Sequence, residues 1–309
     1  MSDDTLRAVT AADELRHEPD QEELWNESYY LDFVDGDGRL GGYVRLGFYP
    51  NLGVAWWTTA IVRDGGPSII SAAYDLVASP LPALHASGSG VEVDLEITKS
   101  LEEFRVVATA SGQEHQDPTA VYDGEAGRAV DLGIDLRWST DGTPYHYEVT
   151  TRYEIPCLVS GTLTIDGEVF TIKGQGQRDH SWGVRDWWAF GWCWLAARLD
   201  DGTRLHGADI RMPGMPIAFG YVQGPDRPVE RVRELAVNEV LGRAGLPVEG
   251  FMTLEPGDFD VAIAPVAFGP LLLTSSDGRV SRFPRAMARF TTADGRTGVG
   301  WIEWNQPQS

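Results

Sequence analysis

Apolar and polar residues alternate with a period of two along most of this chain. Between positions 91 and 97, Val91, Val93, Leu95 and Ile97 interleave with Glu92, Asp94 and Glu96, the pattern of a strand with one wet face. Turn signals punctuate such segments. Asp35-Gly36-Asp37-Gly38 separates 29–34 from 40–49, Asp141-Gly142 separates 131–139 from 145–155, Asp166-Gly167 separates 162–165 from 168–173, and Asp294-Gly295 separates 285–291 from 297–304. Gly257-Asp258 and Asp277-Gly278 mark further turns. In 145–155, Tyr145, Tyr147, Val149, Thr151 and Tyr153 fall on one face of a continuous strand. Only 229–241 admits helical spacing, and its valines and its surroundings favour strand. Ahead of Trp25, Asp20 with Glu23 reads as the capping box of a short helical turn. The fold expected is all-β.

Against this background one stretch is chemically dense. Five of the eleven tryptophans fall between Trp182 and Trp194, and the run from Gly174 interleaves Arg178, Asp179, His180, Trp182, Arg185, Asp186, Trp187, Trp192 and Trp194. Tryptophans facing a core need only burial and a partner for each indole N–H. Buried charges are costly unless paired, and perturbed titratable groups cluster at functional sites, so the run reads as a pocket with its supports. Arg178 with Asp179, and Arg185 with Asp186, read as bidentate pairs that pin the loop.

The Asp201-Gly202 turn sets where the next strand falls. With those two as the central residues, Asp200 pairs with Thr203, Trp194 lies opposite Asp209, Trp192 opposite Arg211, and Ala196 opposite Gly207. A carboxyl group flanked by indoles, beside the space left by Gly207, suits an apolar ligand and an acid. Burial among tryptophans raises a carboxyl pKa, and indole faces stabilise a developing carbocation. Asp209 is then the candidate acid, His180 its proton partner, and Trp182, Trp187, Trp192, Trp194 and Gly207 the ligand-binding surface. Glu27 and Glu303 are held in reserve.

The run Gly174-x-Gly176-x-Arg178-Asp179-His180-Ser181-Trp182-Gly183-x-Arg185-Asp186-Trp187 resembles the signature of the carotenoid 1,2-hydratase (hydroxyneurosporene synthase) superfamily, and more closely its uncharacterised actinobacterial branch. The resemblance implies two tandem lipocalin-like antiparallel β-barrels, a ligand cavity and no cofactor. It also implies proton transfer to an alkene by a His-x-Trp pair, matched by His180 and Trp182, and a Tyr-x-Asp, of which Asp209 matches the acid while Gly207 stands where the tyrosine would be. The domains expected are a polar tail over 1–19, a first barrel over 20–173, and a second over 174–309 that carries the motif. A short echo between Asp37–Arg45 and Asp201–Arg211 fits duplication of a β-domain.

Composition narrows the function classes. A chain of 309 residues that is 42% hydrophobic can bury two ordinary cores. Its formal net charge of -21 speaks against nucleic acid or an anionic membrane surface, both of which need basic patches. The most apolar stretch, 262–273, is broken by Pro265, Gly269 and Pro270 and is too short to span a bilayer. Cys157 and Cys193 stand apart, and the acidic start lacks the features of a secretion signal, so the expected location is the cytoplasm. No phosphate-cradling glycine loop, Gly-x-Ser-x-Gly elbow or zinc-like ligand spacing occurs, and no metal is expected. The function read from these features is a cofactor-free hydratase, cyclase or isomerase acting on a terpenoid, steroid or polyene-like molecule. The alternative is a lipocalin-like carrier of a hydrophobic small molecule. Oligomeric state is left open.

Overall fold

In the computed structural model, which describes residues 6–242, 244–256 and 259–308, two large antiparallel sheets carry nearly all of the chain. The expected Gly257-Asp258 turn lies outside the described residues. The first sheet is a closed barrel. Trp25–Asp35 pairs with Leu40–Tyr49 on one side and with Glu168–Val184 on the other, and Glu168–Val184 pairs in turn with Arg152–Ile165. The second sheet runs from Arg227–Arg231 through Gly191–Leu199 and Thr297–Pro307 to Glu234–Leu241. The fold is therefore all-β, as two tandem lipocalin-like barrels, and the ambiguous 229–241 segment is strand.

Three apolar cores follow from the alternation. Leu31, Phe33, Trp57 and Trp138 fill the first barrel, and Leu195, Met252, Phe290 and Trp304 fill the second. Between them lies a third core of Tyr30, Tyr43, Trp188, Trp194, Tyr221 and Trp301, built from the outward faces of both. Trp301 Nε1 donates to Phe33 O at 2.8 Å, tying the barrels together through a buried bond.

The motif does not open the second barrel: Glu168–Val184 is one 17-residue strand that closes the first, so a boundary at 173/174 would cut it. Gly174 and Gly176 are there because a Cβ would meet Val34 O at 2.0 Å and Asp32 O at 1.9 Å; the glycines permit close strand approach. Residues 145–155 are not one strand, since the chain breaks after His146 and resumes at Arg152, sending Tyr147 between the barrels and Tyr153 into the first. The N-terminal segment is not a loose tail. A 3-10 turn at Ala11–Glu14, boxed by Thr10 and Asp13, docks on the first barrel with both acids buried, and no helix forms at Asp20.

Candidate active site between the barrels

Along a strand, neighbours point to opposite faces. From Arg178 to Trp182 this divides the motif in two: Arg178, His180 and Trp182 turn toward the first barrel, and Asp179 and Ser181 turn toward the second. The expected Arg178–Asp179 pair is therefore excluded. Arg178 instead meets Glu14 at 2.7 Å, both buried, and Asp179 meets Arg152 at 2.7 Å. Arg185 and Asp186 do not pair either. Asp186 accepts from Arg279 at 2.8 Å.

Inside the first barrel, His180 Nε2 donates to Glu27 Oε1 at 2.5 Å, and the His17 ring donates to the same oxygen at 2.9 Å. The His180 ring stacks on Tyr29 at 4.0 Å, and His17 stacks on Trp182 at 3.8 Å. Burial lowers the His180 pKa against the pull of Glu27, which favours the neutral ring. His17, Glu27 and His180 could hold a metal ion, a grouping that residue spacing missed because its members come from three distant segments. They also bond to one another without an ion, and Glu27 Oε2 accepts from His17 N at 2.6 Å. Glu27, a reserve acid, is thus a hydrogen-bond acceptor for two histidines deep in the wall.

The open space is elsewhere. A cavity of about 600 Å³ lies between the barrels, walled by Trp182, Trp192, Trp194, Ile210 and Phe219, with Tyr147 and Arg152 at its inner end. A small polar recess shares Arg152, Arg185 and Trp194 with it and adds Asp179, Arg45 and Trp187. Trp182, Trp187, Trp192 and Trp194 therefore all reach this region. Glu303 lines the recess too, ion-paired with Arg285 at 2.9 Å and accepting from Trp192 Nε1 at 3.1 Å.

Asp209 and Gly207 do not reach it. The hairpin closes through a bond from Leu199 N to Thr203 O at 2.8 Å, so the loop has three residues, with Gly202 left-handed at φ 85°. The register moves by one: Trp194 faces Ala208, and Asp209 faces Cys193. A one-residue slip sends every side chain to the other face. Asp209 sits on the side of the second barrel's core, beside Arg211, which reaches on to Glu239 at 2.5 and 2.7 Å. The space at Gly207 is taken by Leu235, whose Cδ2 would stand 2.8 Å from an added Cβ. His180 and Asp209 are in separate clusters.

Sequence reasoning missed the polar network that underlies the cavity. Arg152 bridges Asp179 and Glu154, at 2.7 Å to each. Glu154 also accepts from Trp194 Nε1 at 3.1 Å and from Gln177 at 3.0 Å. Tyr147 Oη stands 2.7 Å from His206 Nε2, whose Nδ1 lies 2.9 Å from Leu195 O; the latter contact makes Nδ1 the donor and Nε2 the acceptor of the tyrosine proton. Burial lowers the His206 pKa, which keeps the ring neutral. Burial alone would push Glu154 up, but the Arg152 charge and the donors Gln177 and Trp194 outweigh it and hold the group low. Asp179 is the reverse: burial, with Glu154 and Glu303 nearby, overcomes Arg152 and Arg185 and raises its carboxyl to about 7.

The pattern of one protein family, described as Domain of unknown function (DUF7064), matches residues 10–308. The chain belongs to that family. Among solved structures, a protein assigned as an AttH from Nitrosomonas europaea superposes with a TM-score of 0.64 at 15% identity, over 96% of this chain and 97% of that one. Kievitone hydratase from Nectria haematococca gives 0.64 at 10% identity, over 98% and 94%. CghA with Sch210972 gives 0.55 at 11% identity, over 100% and 96%. These likenesses establish a shared fold. No curated protein matches the chain in sequence. Among the described residues, no helix is long and apolar enough to cross a membrane.

Proposed function

We propose that this protein is an acid–base enzyme of the hydratase, cyclase or isomerase kind, acting on an apolar small molecule held between its two barrels, with Asp179 as the acid. The observation that carries the reading is the position of that carboxyl group. It is buried, it has one arginine partner, and it lines a polar recess that shares Arg152, Arg185 and Trp194 with the aromatic cavity. Proton donation to an alkene needs an acid still protonated near neutral pH. Asp179, raised to about 7, meets that need.

The surroundings fit the same chemistry. Trp192 and Trp194 offer ring faces to developing positive charge. Tyr147, on His206, can take a proton back or hand one on, and Glu154 through Arg152 steadies the acid. That proteins sharing the fold include one named as a hydratase supports the reading. The motif's resemblance to carotenoid hydratases supports it as well, with the acid now taken from the motif itself instead of from Asp209. A terpenoid, steroid or polyene suits the volume and the walls.

The second reading is a carrier, favoured by the size and apolarity of the cavity alone. Ligand copurifying with the protein is identified by mass spectrometry, then incubated with wild type and Asp179→Asn in heavy water. The enzyme reading expects deuterium in the recovered ligand with wild type and at least a hundredfold less with the variant, on the order of what general acid catalysis contributes. Retained ligand with no deuterium from either protein would leave the carrier.

A further inference from the structure

The recess holds more positive charge than the protein itself balances. Its two carboxylates have partners of their own, Asp179 with Arg152 and Glu303 with Arg285. Arg45 and Arg185 are left over. Among the described residues neither guanidinium has a carboxylate in ion-pair reach. Arg45 is buried, and its side-chain contacts are long ones to neutral oxygens, 3.5 Å to Asn26 Oδ1 and 3.4 Å to Tyr49 Oη. Both cations lie over the same indole, with the Arg45 Cζ 4.8 Å and the Arg185 Cζ 5.7 Å from the Trp187 ring centre.

Two like charges on one ring, one buried and the other half-buried, are expensive to hold. Burial and the neighbouring Arg152 lower the Arg185 pKa to about 10. Arg185 lines both the recess and the large cavity, so a ligand lying along the tryptophans would bring one of its ends to this guanidinium. Planar guanidinium forks match carboxylate oxygens in two-point contacts.

We infer that the ligand is an amphipathic acid, whose carboxylate docks between Arg45 and Arg185 while its apolar body fills the cavity along Trp192, Trp194 and Phe219. This inference rests on the cavity assigned above as the binding site, and deepens it by naming the substrate class. An anionic head here also adds negative charge beside Asp179, which favours the protonated carboxyl the proposed chemistry requires.

The test is binding, read from tryptophan fluorescence and calorimetry, and needs no turnover. Matched probes of one chain length are used: a long-chain fatty acid, its methyl ester and the corresponding primary alcohol. Wild type is expected to bind the acid about tenfold or more tighter than the other two, the size of a charge-assisted hydrogen bond. In Arg185→Gln that preference should vanish while alcohol and ester affinities stay within about twofold, a change too small to count as a lost contact. Arg185→Lys, with a point charge and no fork, should keep part of it. Unliganded Arg185→Gln should melt no lower than wild type, because the arginine has no internal ion pair to lose.

Equal affinity for acid, ester and alcohol in wild type would overturn the inference, as would a preference that survives in Arg185→Gln. A lower melting temperature for that variant would assign Arg185 to supporting Trp187 instead. Acid selectivity without deuterium exchange would sustain this inference and sink the enzyme reading, whereas no binding of any probe would overturn the inference and leave the enzyme reading to the exchange experiment.

Discussion

The Trp194 indole and the Glu154 carboxylate meet across the seam between the barrels, with Nε1 donating to Oε1 at 3.1 Å and both side chains buried. One residue of the second barrel thereby both walls the cavity and orients a charge of the first. Trp194→Phe keeps most of the apolar wall but removes a donor from a buried carboxylate, so it should cost about 1.5–3 kcal/mol in chemical denaturation, as for hydrogen bonds to charged groups. Trp192→Phe removes the bond to Glu303, which keeps its buried arginine and is less enclosed, and should cost about 1 kcal/mol or less.

Asp179 gives a pH dependence with a defined sign. Its folded pKa, about 7, stands above the ordinary 3.8. The folded protein therefore holds that proton more tightly than the unfolded chain, and the stabilisation is complete below about 4 and lost as pH rises through about 7. Thermal melts of wild type and Asp179→Asn should differ most in favour of wild type at pH 4 to 5, with the gap narrowing or reversing by pH 8. Turnover dependent on this acid should fall above pH 7. A gap between the two proteins that does not change with pH would show that Asp179 is ionised throughout.

How far the residues alone reveal this site can be seen at three places. The period of two specifies strands almost everywhere, because each barrel wall has one face in its own core and, over much of its length, another in solvent or against the other barrel. The density of titratable groups among tryptophans also singles out the stretch around Asp179 and His180. What neither shows is which barrel each side chain enters, since a hairpin with two loop residues and one with three can share the same Asp-Gly signal while opposing different partners. Asp200 joins Asp201 and Gly202 as the third loop residue, and Asp209 goes to the far face. Arg152, Glu154 and His206 were illegible for another reason: they are ordinary residues on separate strands until closure of the first barrel sets Arg152–Ile165 against the motif.

That register makes Asp209 a discriminating control. On its observed face it buttresses Arg211, part of a partly exposed cluster with Glu239 of Glu234–Leu241. Asp209→Asn should leave deuterium exchange and ligand affinity at wild-type levels and reduce stability by about 0–1 kcal/mol, as for partly exposed ion pairs. Loss of exchange in Asp209→Asn with Asp179→Asn unaffected would return the acid to the second barrel.

Glu14 offers the clearest test that the N-terminal segment belongs to the fold. Its carboxylate is fully buried, accepting from Arg178 at 2.7 Å, from Leu101 N at 2.7 Å and from Ser100 at 3.0 Å, while Tyr29 Oη donates to the Glu14 carbonyl at 3.3 Å. Arg178 is equally buried, and no other carboxylate among the described residues is in reach of it. Glu14→Gln preserves the shape and leaves a cation in the barrel wall without its counter-charge, a change that costs about 3–5 kcal/mol when one partner of a buried pair is removed. Because Arg178 neighbours Asp179 in the same strand, loosening there should also weaken ligand binding, and added ligand should recover part of the lost melting temperature. A variant as stable as wild type would mean that the segment lies loosely on the barrel, and that solvent reaches Arg178.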